Sequence, residues 1–358
     1  MKEGVVRVMK IQKQLIVTAA VITAAAVWAV FSQSASAQTY AGPGPVSVFT
    51  DDLENGSTIN NNAGMPGGTP TASSTSYDIN ADKGTGFTPA LTSGDLNLPF
   101  PSSSSGFIEA QALFSNSPVT LQNVGDYVDF ILEFTDTANL GNPGGQGNQL
   151  NIGLYDAGAT NGNGSTPIAP LPGNLATLTT ASGGAQGWSG YYSQIVNANG
   201  GTASKLWYRP VQNTGTGSQT LTVNTGSVSG GFGTPGPVAV QLVNGSKAST
   251  LLMNNGSLYT EDFRITMSAA GVLTVSNEVF AGLGTGGALD YAFGGYTNAT
   301  DFSFDGLAFS YVNKQSLVMT QDISLVEIST NVPEPSTWML LASGLALMVG
   351  LIARRRRS

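Results

Sequence analysis

The side chains able to do chemistry in this 358-residue chain are carboxylates, a few amines and guanidinium groups, amides, hydroxyls and aromatic rings; histidine and cysteine are both absent. Their absence removes imidazole general bases, Ser-His-Asp and Cys-His nucleophiles, and zinc sites built on His or Cys. Carboxylate pairs remain. Glycoside hydrolysis needs two of them about 5–9.5 Å apart across a sugar. Asp129 and Glu133 share one strand face but stand four residues apart, roughly 13 Å at the strand rise. Tyr127-Val128-Asp129 does not supply the missing acid. On these grounds the chain is not expected to be an enzyme. The competing class is a glycoside hydrolase or lyase acting on polysaccharide.

Two other groupings are candidates for binding. Asp51, Asp52 and Glu54 cluster beside Asn55-Gly56, and calcium takes such hard oxygens. Their spacing is not that of an EF-hand loop, and a solvated turn gives the same residues. Asp301 and Asp305 around Phe302 and Phe304 invite the same comparison. No organic cofactor is expected, which leaves calcium as the one cofactor to weigh. Trp188, Tyr191, Tyr192, Trp207 and Tyr208 concentrate aromatic rings in one stretch. Such rings either stack on the apolar face of a pyranose or pack in a core, where aromatics supply much of the burial.

These residues must be positioned by strands. Short apolar runs alternate with a period of two and are separated by stretches rich in Gly, Ser, Thr and Asn. In Asp126–Asp136, Val128, Phe130, Leu132 and Phe134 point one way, while Tyr127, Asp129, Ile131 and Glu133 point the other. That pattern gives one buried and one wet face, as in an antiparallel sandwich. Ile108 to Phe114 and Leu150 to Leu154 repeat it. Phe263 to Met267, the turn Ala269-Ala270-Gly271, and Leu273 to Val275 read as a hairpin. Leu307, Phe309 and Tyr311 follow. Ser47–Leu53 opens the domain and Asp322–Ser329 closes it, and pairing the two brings the termini together. The stretch from Trp188 to Val243 reads only as weaker strands.

Charged residues are 10% of the chain, against a usual ~25%. Between Gln38 and Asn331, six bases face twenty acids, a balance of −14. Such a body repels nucleic acid and anionic membranes and suits neutral sugars or hard cations.

The two ends are distinct. Lys2, Arg7, Lys10 and Lys13 precede an uncharged apolar run, Leu15–Phe31. Ala35 and Ala37 then place small residues for signal-peptidase cleavage before Gln38. At the other end, Ser336–Ala353 is uncharged and mostly apolar. A helix of that length is roughly 27 Å long, close to the bilayer's hydrocarbon core. Arg354, Arg355, Arg356 and Arg357 then hold the last residues in the cytoplasm. The prolines of Val332-Pro333-Glu334-Pro335 keep the preceding peptide extended and accessible.

This tail resembles the PEP-CTERM sorting signal of exported bacterial proteins: a Val-Pro-Glu-Pro motif, an apolar helix and a terminal arginine cluster. The resemblance implies an exosortase as partner. The inner membrane would be a transient anchor, and the cell surface or exopolysaccharide matrix the destination. The body resembles the concanavalin-like, laminin-G-like jelly rolls through Leu121–Thr135, Asn148–Gly158, Phe263–Val275 and Phe304–Val312. The Glu-x-Asp-x-x-Glu pattern of concanavalin-like glucanases is absent. The expected organisation is a signal peptide over 1–37 and an antiparallel β-sandwich over 38–331. A sorting signal with a transmembrane helix completes it over 332–358. The expected role is structural or adhesive, through an exopolysaccharide or other glycan.

Overall fold

The computed structural model describes residues 45–332, apart from 55, 60–69, 82–87, 93, 101–105, 137–147, 158–187, 198–202, 211–220, 223–238, 248–250, 252, 299 and 314–318. The expected signal peptide, with its expected cleavage residues Ala35, Ala37 and Gln38, lies outside the described residues. So does the sorting signal from Pro333 through Glu334, Pro335 and Arg354 to Arg357. Among the described residues no helix is long and apolar enough to cross a membrane.

The body is all-β, as its alternating pattern requires. In chain order the first strands are β1 (Val46–Asp51), β2 (Thr58–Ile59), β3 (Ser76–Ala81), β4 (Ala90–Thr92), β5 (Asp95–Phe100), β6 (Gly106–Leu113), β7 (Val119–Thr120), β8 (Tyr127–Asp136) and β9 (Asn148–Asp156). Then come β10 (Ser189–Asn197), β11 (Ser204–Arg209), β12 (Val240–Lys247), β13 (Leu258–Ala269), β14 (Val272–Ala281), β15 (Ala288–Asn298), β16 (Ser303–Phe304), β17 (Gly306–Asn313) and β18 (Met319–Thr330).

Two sheets stack face to face. The front sheet runs β2-β3-β6-β17-β9-β10-β11, and the back sheet runs β15-β14-β13-β8-β18-β5-β4. Strand β12 pairs with both β11 and β15 and joins them into one path. The hairpin read at Ala269-Ala270-Gly271 joins β13 to β14, with Gly271 in the left-handed conformation (φ 74°). The opening and closing strands do pair. One side of β18 lies along β8, and its other side takes β5 at Met319–Ile323 and β1 at Val326–Thr330.

The inward faces form one core. Phe130, Leu132 and Phe134 of β8 and Phe263 and Ile265 of β13 meet Ile79, Ile152, Leu154, Leu307 and Phe309 of the front sheet, each fully withdrawn from water. Phe130 meets Phe309 edge-on across the sandwich at 6.4 Å. Burying each such side chain contributes about 1.5–3 kcal/mol. The outer face of β8 is drier than its sequence implies. Asp129 and Glu133 are buried, because the Arg264 guanidinium forks onto Asp129 and the Gly284 amide caps Glu133 at 2.9 Å.

Polar groups also enter the core. Asn277 of β14 donates to Glu261 of β13 at 2.7 Å and to Ser193 of β10, crossing from one sheet to the other. Burial pushes Glu261 up to about 8; the Asn277 bond opposes the shift and the Asp262 charge adds to it. Burial, with the Asp129 charge, takes Asp262 up to about 7, against the pull of Arg264.

Both groups bind protons more readily folded than unfolded, so stability is greatest below their usual values of 4.5 and 3.8. It falls as pH rises through about 7 and 8, at about 1.4 kcal/mol per pH unit per group between those limits. Urea unfolding of the full chain at pH 5 and pH 8 is expected to give the lower midpoint at pH 8. Glu261→Gln, which keeps the amide-to-serine bridge without a titrating group, is expected to flatten that slope.

Candidate ligand-binding face of the front sheet

The outward face of the front sheet is built from residues alternating with the core. Glu109 and Gln111 of β6 face outward between Ile108, Ala110 and Ala112. Strand pairing sets these positions into rows. Asp78, Gln111, Ala308, Gly153, Tyr192 and Trp207 lie side by side across β3, β6, β17, β9, β10 and β11. One row over, Glu109, Ser310, Asn151, Gln194 and Lys205 align. On the other side, Gly306, Tyr155, Gly190 and Arg209 align.

Small residues decide the relief of this face. A Cβ at Gly306 would sit 2.6 Å from the Trp188 indole, so the ring lies flat only because position 306 has no side chain. A Cβ at Gly153 would meet the Tyr155 hydroxyl at 2.7 Å. Tyr155 and Trp188 pack at 6.3 Å, Tyr192 stacks on Trp207 at 6.4 Å, and the Lys205 ammonium lies 5.2 Å from the Trp207 ring centre. Leu221 covers this aromatic group together with Ala308.

Glu109 holds that cover in place. It is fully buried. One carboxylate oxygen accepts from the Leu221 amide at 2.8 Å and the Gln111 side chain at 2.6 Å; the other accepts from the Thr222 amide at 2.8 Å and the Thr222 hydroxyl at 2.5 Å. The Thr222 hydroxyl also meets Ser310 at 2.6 Å, and Asn151 donates to Ser310 at 2.9 Å.

Around this saturated carboxylate, other polar groups are buried with nothing to bond. Both oxygens of Asp78, the side-chain oxygen of Asn151, the Tyr155 hydroxyl, the Trp207 indole nitrogen and one terminal nitrogen of Arg209 lack partners. Burial and the nearby Glu109 charge push Asp78 up to about 7. Buried polar groups in folded proteins are nearly always bonded. These unbonded donors and acceptors, each out of contact with solvent, lie beside aromatic rings on one sheet face.

The five aromatic residues singled out in the sequence divide. Trp188, Tyr192 and Trp207 come together on the outward face, joined by Tyr155. Tyr191 and Tyr208 lie on the core side, 5.2 Å apart, with Tyr191 packed on Phe304. They do not form one exposed platform, because strand alternation sends neighbours 191 and 192, and 207 and 208, to opposite faces. Trp188, Tyr191 and Tyr192 are buried, and Trp207 and Tyr208 half-buried.

Asp51, Asp52 and Glu54 do not converge either. Asp51 is buried and its oxygens are taken by the Leu53 amide at 2.8 Å, Ser57 at 2.5 Å and Tyr77 at 2.9 Å. Asp52 and Glu54 are exposed, and Asp52 accepts from the Glu54 amide at 3.1 Å. Asp51 ties β1 to β3. Among the described residues, no three acidic side chains gather around one point. Asp305, the other calcium comparison, accepts from the Ala157 amide at 2.7 Å.

At the exit from the body, Asn331 accepts from the Tyr127 amide at 2.8 Å and donates to the Gly125 carbonyl at 3.0 Å, and Val332 packs against the core. From there the chain enters a stretch that matches a family pattern, the PEP-CTERM protein-sorting motif, over residues 331–357. The chain carries this sorting motif. No curated protein matches the chain. Among solved structures it is similar to the Emp47p carbohydrate recognition domain, at 11% identity over 79% of this chain and 96% of that one, with a TM-score of 0.39. It is similar to arcelin-5 of Phaseolus vulgaris, a lectin-like defence protein, at 11% identity over 81% and 99%, with a TM-score of 0.37. It is also similar to the VIP36 exoplasmic/lumenal domain solved with Ca2+ and Man3GlcNAc, at 12% over 70% and 82%, with a TM-score of 0.36.

Glu109→Ala removes the acceptor for two backbone amides and two side chains at once. Stranding buried donors in this way costs about 1–3 kcal/mol or more. A loss of about 3 kcal/mol in urea unfolding is expected, with Leu221 and Thr222 becoming accessible to hydrogen exchange.

Proposed function

We propose that this is an exported protein, released from its membrane anchor by an exosortase at the Pro333-Glu334-Pro335 motif and passed to the cell surface or surrounding matrix. There its body binds polysaccharide along the outward face of the front sheet. The observation that carries the binding reading is the set of buried, unbonded polar groups on that face, Asp78, Asn151, Tyr155, Trp207 and Arg209, beside the rings of Tyr192 and Trp207. Sugar hydroxyls both donate and accept, and aromatic faces complement the apolar side of a pyranose ring. The role is adhesive or structural, without catalysis.

An enzyme reading has one observation in its favour: β3 and β6 bring Asp78 and Glu109 together, a carboxyl pair that the chain order conceals. Against it, both Glu109 oxygens are saturated by protein donors and none is left to take a proton or attack a sugar.

Two experiments test these readings. Pull-down of the full-length protein on a panel of insoluble polysaccharides is expected to show retention. Trp207→Ala should weaken it at least tenfold, and Leu289→Ser on the back sheet should leave it unchanged. Equal retention of all three proteins would reject the face. Release of reducing sugar from a bound polysaccharide would reject the non-catalytic reading. For sorting, Pro333→Ala with Glu334→Ala is expected to accumulate uncleaved, membrane-bound precursor in cells that express an exosortase.

A further inference from the structure

Among the described residues, Arg209 is a buried cation with no ion-pair partner. It is 2% exposed. One terminal nitrogen donates to the Trp188 carbonyl, and the other has no acceptor. The ion pairs among the described residues belong to Arg264. Glu109, whose charge acts on Arg209 through space, has its oxygens engaged elsewhere, as described above. Withdrawing a guanidinium from water without an ionic partner costs several kcal/mol, and natural folds pair such charges.

The neighbouring unbonded groups donate as well. The Trp207 indole N–H lies two residues along β11 on the same face, and the Tyr155 ring starts beside Gly190 and carries its hydroxyl along β9 to Gly153, in the row of Tyr192 and Trp207. The acceptors without partners, Asp78 and Asn151, belong to the β3 and β9 positions nearer Glu109. The face therefore has a donor end along β11, where Arg209 and the Lys205 ammonium beside Trp207 supply two positive charges, and an acceptor end.

We propose that the donor end of this face, Arg209 with Trp207 and Tyr155, binds the carboxylate of an acidic sugar, so that the ligand is a uronic-acid-containing polysaccharide. This rests on the glycan-binding reading and narrows it. A carboxylate brings one negative charge and two oxygens to the two N–H bonds of one guanidinium nitrogen and two neutral donors. Guanidinium-to-carboxylate bonds are about twice as strong as neutral ones. The sugar hydroxyls then fall toward Asp78 and Asn151.

The test uses the full-length protein in detergent with polygalacturonate, alginate and hyaluronate, each paired with its carboxyl-reduced form, and with neutral glucans alongside. At least one acid form is expected to bind tenfold or more tightly than its reduced counterpart. Arg209→Gln should bring that ratio close to one, a comparison made within a single variant and so independent of any loss of folded protein. Trp207→Phe keeps the ring and removes the N–H; it should cut affinity for the acid form at least threefold and leave the reduced form unchanged. If acid and reduced forms bind alike across the panel, the carboxylate assignment fails and glycan binding stands. If none of the polymers binds, neutral glucans included, both readings fail.

Discussion

Glu109 is wholly withdrawn from water, and its charge is met by donors of the chain itself. Keeping carboxyl groups out of water is the constraint around which this body is arranged, and it is met in three ways. Glu109 and Asp51 are saturated by amides and hydroxyls, which ties distant segments together: Leu221 and Thr222 to β6, and β1 to β3. Asp129 takes the Arg264 fork. Glu261 and Asp78 bind protons more readily than free carboxyl groups, because burial outweighs the little that stabilises their charge. With no cysteine to staple the sheets, these polar ties and the Phe-rich interior set the register of the sandwich.

The two sheets divide the work. The back sheet's outer face closes on itself through Asp129, Arg264 and Glu133. The front sheet's outer face is left with more bonding capacity unspent, since Asp262 alone keeps an unbonded oxygen beside Arg264. Gly153, Gly306 and Ala308 bring the strand backbone close to the surface there, and rings from β9, β10 and β11 lie over it. A face of this kind needs backbones that pack closely, which accounts for part of the glycine in the composition.

Much of the fold was legible in the chain. β8, β9, β13, β14 and β17 alternate large apolar with polar residues, and the period of two survives in the folded protein. The region from Trp188 to Val243 was obscure because β10 and β11 carry aromatic residues on both faces, so alternation in polarity vanishes although alternation in direction does not. Read by parity, Tyr191 and Tyr208 would have been separated from Tyr192 and Trp207. The site itself was largely hidden. Asp78 and Gln111 sit in different strands, and Arg209 reaches Tyr155 only across Gly190; strand pairing, which no local pattern reports, makes them neighbours. One signal was present: Glu109 and Gln111 alternate with Ile108, Ala110 and Ala112, a polar stripe on a strand whose other side is core.

The pairing of β1 with β18 has a consequence for the order of events during export. The last strand sits inside the back sheet and supplies the only described partner of β1, as well as the outer neighbour of β8. Contacts between chain ends form late, since the loop they close is the longest available. On the proposed export route the sandwich cannot be completed until residues 319–330 have crossed the membrane, and the Pro-Glu-Pro peptide follows them directly. Maturation on that route would be timed by topology: the proposed cleavage segment emerges at the same moment as the strand that finishes the fold, so a chain cut there would have everything it needs to stay folded.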